Sequence, residues 1–192
     1  ITDRKQIREA IKSGWREYDN FFNLTQQGVP YTSALEGNRV SQTHLQNSNY
    51  DVSVAIMGHG YNLFDERISL NLVNKLKKMG VRFYTYLNIK REDCLRAIND
   101  LGELVYWGNE PELTGTAAYF MLNNEKHIDG IIALSAFGCG PDSLMIDEIS
   151  HHARERNIPL LQLTIDEQTG EAGFNTRLEA FIDMIRRKNI KN

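Results

Sequence analysis

The sequence predicts an α/β domain built on a parallel sheet. Four short apolar segments, near residues 51–57, 81–86, 130–134 and 159–165, are separated by segments of helical periodicity. The apolar segments are continuous rather than alternating, as strands buried on both faces of a parallel sheet are. The chain of 192 residues, 41% hydrophobic and 24% charged, has ordinary globular composition and enough length for a full core.

Each element has a local cause. Thr2 or Asp3 caps a first helix, in which Ile7, Ile11, Trp15, Tyr18 and Phe22 share one face and which Gly28 and Pro30 end. Residues 31–50, rich in Ser, Thr, Asn and Gln, read as a polar linker without a motif. The boundary predicted is a helix and linker over 1–50, then the α/β domain over 51–192. Strand one, Asp51 to Met57, runs into the turn Gly58-His59-Gly60. Asp65 then caps a helix through about Met79, with Ile68, Leu72, Val73, Leu76 and Met79 on its buried face. Gly80 stops it. Strand two is Val81 to Tyr86, followed by a helix near Glu92 to Leu101. Pro111 opens another helix through about Lys126. Strand three is Gly130 to Leu134, and a helix with Asp142 as cap runs to Asn157. Strand four, Pro159 to Ile165, and a helix from Phe174 to Lys188 complete the chain. Right-handed crossovers put helices on both faces, giving three layers, and general topology rules favour the order 2-1-3-4 for the four-stranded parallel sheet, an order that periodicity does not show.

Composition excludes several function classes. The net charge of −3 supplies no general field for nucleic acid, so no nucleic-acid partner is expected. No apolar run approaches the roughly 20 residues a membrane span needs, so no membrane partner is expected. The first ten residues are charged and lack the apolar stretch of a signal peptide. The chain does not begin with Met, which reads as an excised or processed piece. Two distant cysteines, Cys94 and Cys139, make no disulfide framework, and a reducing cytoplasm is the expected location.

In open parallel sheets, ligands bind beyond the carboxyl ends of the strands where strand order reverses. Three loops gather there: Gly58 to Asn62, Phe137 to Asp142 and Asp166 to Gly173. Cys139 lies between Gly138 and Gly140 at a helix N-terminus, where backbone N–H groups favour a thiolate. A thiolate there serves as nucleophile or soft-metal ligand; a quiet buried thiol in a tight turn is the plainer alternative. His59 is either an acid–base group or a loop imidazole bonded to backbone. Asp65 and Asp142 read as helix caps, and Asp166 as a strand-end residue that fixes its loop or lines the site. Glu171 and Arg177 stand where they can pair. His151 and His152 read as surface residues, because neighbours on a helix do not share a face. Cys94 reads as structural. No dinucleotide fingerprint, P-loop, serine elbow or zinc-finger spacing is present.

Three runs carry a resemblance. Leu134 to Ser143 (LSAFGCGPDS), Gly58 to Asn62 (GHGYN) and Leu163 to Phe181 (LTIDEQTGEAGFNTRLEAF) resemble blocks of the 2-hydroxyacyl-CoA dehydratase subunit superfamily, nearest its branch of CoA-substrate-specific enzyme activases. The resemblance spans about Val52 to Arg187. It implies a Rossmann-like lobe, the C-terminal one, of a larger iron–sulfur redox protein of the four-iron type. In that family an ATP-hydrolysing activator passes one electron to the cluster, for reductive chemistry on a CoA thioester. Carried over, Cys139 is one cluster thiolate and the metal ligand of this chain. Gly138, Gly140, His59, Asp166 and Glu171 line the same cleft. Gly60 stands where the family has proline, which loosens the first loop. The other cluster thiolates would lie outside this chain, in an upstream lobe, so the chain alone is expected to lack a complete cluster and not to be active alone. The implied partners are that upstream lobe, an ATPase activator domain or subunit, and a CoA thioester. Two alternatives stay open: a binding or regulatory module that has lost the cluster, and a thiol enzyme using Cys139 with His59 as base.

Overall fold

A computed structural model describes residues 3–37, 50–123 and 128–191, and the chain divides into two units, Ile1–Asn49 and Tyr50–Asn192. The first unit opens with helix α1, Arg4–Gln26. Asp3 is its cap, accepting a hydrogen bond from the Lys5 N–H at 2.8 Å. Ile7, Ile11, Trp15 and Tyr18 share a face as the periodicity requires, yet all four side chains are exposed. Only the C-terminal end packs, where Leu24 joins Val29 and Ala34 in a small cluster beside Phe21. Ala34 lies in a five-residue helix, α2, Tyr31–Leu35, inside the stretch the sequence reads as linker, and Val29 lies just before it. Its start is set by Pro30, whose fixed φ suits entry into a helix. Residues 38–49 of the predicted linker lie outside the described residues.

The second unit is the predicted sheet. Strands β1 (Val52–Met57), β2 (Val81–Tyr84), β3 (Gly130–Ala136) and β4 (Leu160–Ile165) are all parallel, in the order β2-β1-β3-β4. Register pairs Val54 with Gly130 and Val52 with Val81 across β1, and Ile131 with Leu160 across β3. Between and after the strands run α3 (Gly60–Phe64), α4 (Leu72–Lys78), α5 (Arg91–Asp100), α6 (Glu110–Leu122), α7 (Gly140–Glu155) and α8 (Glu171–Lys191). Alternate strand residues face two separate cores. Val52, Val54, Ile56, Ile132 and Leu134 pack with Leu72 and Leu76 of α4 and Phe174, Leu178, Ile182 and Ile185 of α8. Ala55, Met57, Ile131 and Ala133 pack with Cys94 of α5, Leu113, Ala117 and Phe120 of α6, and Met145, Ile146 and Ile149 of α7. Helices therefore cover both faces, giving three layers. Among the described residues, no helix is long and apolar enough to cross a membrane.

One predicted helix is shortened to its second half. The expected span from Asp65 to Met79 is helical only over α4. The Asp65 carboxylate accepts from the Arg67 and Ile68 N–H groups, both at 2.9 Å, and turns the chain. Leu70 and Asn71 then adopt left-handed backbone, φ 49° and 60°, which no helix tolerates. Ile68, expected on the buried face, is exposed as a result. Of the helix expected through about Lys126, residues 124–127 lie outside the described residues.

Candidate functional site

The site forms where β1 and β3 end side by side, the point at which the strand order reverses. Gly58 follows β1, and a Cβ there would stand 2.8 Å from the Leu134 carbonyl oxygen of β3. Only glycine lets the two strand ends approach so closely. The next residue, His59, is thereby held against the β3 loop and is 7% exposed. Gly60 begins α3, and a Cβ there would stand 2.6 Å from the Tyr86 hydroxyl. Tyr61 stacks on the imidazole, with centroids 5.0 Å apart and planes at 11°.

Beyond β3, the Phe137 N–H donates to the Ile165 carbonyl and extends the ladder by one bond. Gly138, with φ 78°, turns the chain back, and a Cβ at Gly138 or Gly140 would meet open space. Cys139 is the N-cap of α7, half-buried, and its carbonyl accepts from the Ser143 N–H and hydroxyl. Asp142 is not that cap. It lies in the first turn of α7, fully buried, where its Oδ1 stands 2.8 Å from His59 Nε2. A carboxylate oxygen only accepts, so the proton lies on Nε2. Nδ1 is then free to accept from the Asn109 amide at 3.1 Å.

His59, Cys139 and Asp142 thus converge, each offering one ligand atom within 4.8 Å of the others. Asp142 Oδ2 is buried and makes no well-formed hydrogen bond among the described residues, although the Cys139 thiol stands beside the carboxylate. Asn109 also belongs to this centre, and the loop before it is tied down. Glu110, itself buried, accepts from the Tyr106 and Trp107 N–H groups at 2.7 and 3.1 Å.

The helix N-terminus does not leave the thiol activated. Burial pushes the Cys139 thiol up, the Asp142 N–H pulls against it, and the Asp142 carboxylate adds to the rise. That direction is opposite to what a nucleophilic cysteine needs. Tyr61 is pushed up as well, by burial and then by the charge of Asp142.

Asp166 and Glu171 are occupied with other partners. The Asp166 carboxylate accepts from the Thr169 hydroxyl at 2.7 Å and the Gln168 N–H at 2.9 Å, bonds that hold it below the usual range and fix its loop. The β3–β4 register still sets it directly after Ile165, next to the start of the Cys139 loop. Glu171 bonds Lys75 Nζ at 2.8 Å rather than Arg177, whose guanidinium donates to the Gln162 carbonyl instead. Of the two histidines read as surface residues, His151 is exposed, but His152 is largely covered and bonds Glu103 at 2.8 Å. Cys94 is buried between α5 and α6, its thiol pushed up to about 12 by burial.

An iron–sulfur cluster draws several thiolates. Among the described residues only Cys139 is a cysteine at this centre, since Cys94 lies within the core of α5 and α6. A complete cluster therefore does not fit the donors present. Their chemistry is one thiolate, one imidazole and one carboxylate.

Sequence reasoning missed Asp142 and Asn109 as members of the centre. An Asp three residues after a helix start is ambiguous between cap and first turn, and the Gly-Pro pair shifted the start to Gly140. For Asn109 the sequence carries no signal beyond its place before a Glu-Pro helix start.

Residues 2–89 match the family described as CoA enzyme activase uncharacterised domain (DUF2229). Residues 109–185 match the 2-hydroxyglutaryl-CoA dehydratase, D-component. The first match takes in α1 and the stretch after it, where no motif was legible. No curated protein and no solved structure matches the chain. His59 falls in the first matched segment and Cys139 and Asp142 in the second, in the order along the chain that the three resembling runs imply; the chain belongs to the superfamily of 2-hydroxyacyl-CoA dehydratases and CoA enzyme activases.

Proposed function

We propose that the chain is the C-terminal lobe of a larger iron–sulfur redox protein that serves reductive chemistry on CoA thioesters. The observation that carries the reading is the setting of Cys139. It is a half-buried thiol at the N-terminus of a long helix, at the carboxyl edge of the sheet beside the point of strand reversal. Open space around Gly138 and Gly140 leaves room for a bulky group to reach the sulfur. In this reading Cys139 supplies one thiolate, and an upstream lobe of the same polypeptide supplies the rest. An ATPase activator domain or subunit is the electron-delivering partner, and a CoA thioester is the substrate of the assembled protein. Both cysteines are free thiols, which suits a reducing cytoplasm. Alone, the chain holds one thiolate and performs no turnover.

Anaerobic reconstitution of the longer parent protein tests this. Cys139→Ser is expected to lower bound iron and the visible cluster absorbance. Unchanged iron content and absorbance in that variant would remove Cys139 from the cluster and favour a binding module that keeps the fold without it.

A further inference from the structure

We propose that His59, Cys139 and Asp142 form a binding site for a single thiophilic divalent cation of the zinc class. The inference concerns this chain by itself and goes beyond the lobe reading. The two readings share Cys139, but a cluster needs only its thiolate from this chain, whereas the single ion needs all three side chains.

Two independent observations carry it. One is convergence: the imidazole from the loop after β1, and the sulfur and a carboxylate oxygen from the loop after β3 and the first turn of α7, lie within 4.8 Å of one another. Tetrahedral ligands at zinc bond lengths stand about 3.5 Å apart, so the side chains close by about 1 Å around an ion. The other is the unmet demand of Asp142. The residue is fully buried, and Oδ2 lacks a well-formed hydrogen bond. A buried carboxylate left with a lone oxygen is costly, and a cation bound there removes the cost. The donor set selects the metal. A thiolate with an imidazole favours zinc, cobalt or ferrous iron over magnesium or calcium, which take oxygen ligands. Binding at Nε2 breaks the Nε2–H bond to Asp142 and moves the imidazole proton to Nδ1, where the Asn109 side chain, turned to present its amide oxygen, accepts it as the outer partner of a metal-bound histidine does, while Tyr61 stacks on the ring. Three protein ligands leave a fourth position for water or an exogenous ligand.

Titration of the 192-residue chain with Co2+ under reducing conditions tests the site. One equivalent is expected to bind, with tetrahedral visible bands and a near-ultraviolet thiolate-to-cobalt charge-transfer band, and Zn2+ is expected to displace it. Cys139→Ser is expected to abolish the charge-transfer band, while Cys94→Ser leaves it intact. Asp142→Asn and His59→Gln are each expected to weaken binding by about a hundredfold, at least the loss that removing an outer partner causes. Far-ultraviolet circular dichroism checks that these variants fold. Cys139→Ser, at a half-buried position, decides the case should the buried variants unfold. Charge transfer that persists in Cys139→Ser, or wild-type affinity in both Asp142→Asn and His59→Gln, overturns the proposal. Iron content of the longer parent separates the two readings: His59→Gln and Asp142→Asn leave a cluster that uses only Cys139 unchanged.

Discussion

At the scale of single residues, the centre is held by a buried hydrogen bond between His59 and Asp142. Asp142→Ala strips the acceptor and leaves the Nε2–H buried and unsatisfied, a loss of about 1–3 kcal/mol in unfolding free energy. Asp142→Asn keeps an acceptor oxygen of the same shape, and a smaller loss is expected; chemical denaturation of the two variants side by side measures the difference. A half-buried pair of acids, Glu103 and Glu148, lies away from this centre. Burial, and then the Glu103 carboxylate bonded to it, push Glu148 up to about 7, while Glu103 is pulled down by Glu148 and His152. The folded chain holds the Glu148 proton above the pH at which an unfolded glutamate releases it. That contribution to stability is complete below the ordinary glutamate range and is lost as pH rises toward 7. Thermal unfolding is therefore expected to fall with pH across that window, less steeply in Glu148→Gln. An equal slope in the variant would show that the carboxyl does not bind its proton this way. Nothing local in the sequence marks this cluster, because Glu103 and Glu148 meet only through the packing of α7 on the segment after α5.

Elements show where local signals are enough and where they fail. The four strands were legible because each is a short apolar run with glycine, proline or charge at its ends, and tertiary packing agrees with that pattern. The helix expected from Asp65 failed because the same side chain that can cap a helix can also close a turn, and the sequence does not say which N–H groups it will meet. Likewise, α1 has the periodicity of a buried helix, yet Trp15 and Tyr18 are exposed; periodicity sets a face, not what covers it. Two glycines separate these effects. Gly115 lies in α6, where a Cβ would stand 2.7 Å from the Cβ of Cys94 on α5. Gly115→Ala must push the two helices apart and is expected to cost about 1–3 kcal/mol. Gly14 is inside α1 with nothing within 4 Å of its Cβ position. Gly14→Ala is expected to gain about 0.5–1 kcal/mol of helix stability, read as increased helical circular dichroism at raised temperature.

At the scale of the whole molecule, the sheet order decides which loops meet. β1 and β3 are neighbours although two strands and four helices, α3 to α6, separate His59 from Cys139 along the chain, and that adjacency builds the site. The alternation of strands and helices predicted the parallel sheet, while the order 2-1-3-4 that makes them neighbours was expected from general topology rules alone, and the structure has it. The loop positions of His59 and Cys139 followed from it. The pairing of His59 with Asp142 did not, because a one-turn difference in where α7 starts decides whether Asp142 points at the backbone or at the imidazole. Asp166 and Glu171 were placed at the same edge by the same rule, and nearby side-chain partners, Thr169 and Lys75, hold them instead. The two cysteines differ in the same way: Cys94 belongs to the interface of α5 and α6, and Cys139 to the loop edge where a metal can reach it. The central claim is that the Cys139 sulfur is a metal ligand. Alkylation of the longer parent protein, loaded with metal and after chelation, followed by mass spectrometry of each cysteine, tests it most directly. Cys139 is expected to be protected when metal is bound and labelled once it is stripped, with Cys94 silent until the chain unfolds. Equal labelling of Cys139 in the loaded and stripped protein would contradict it.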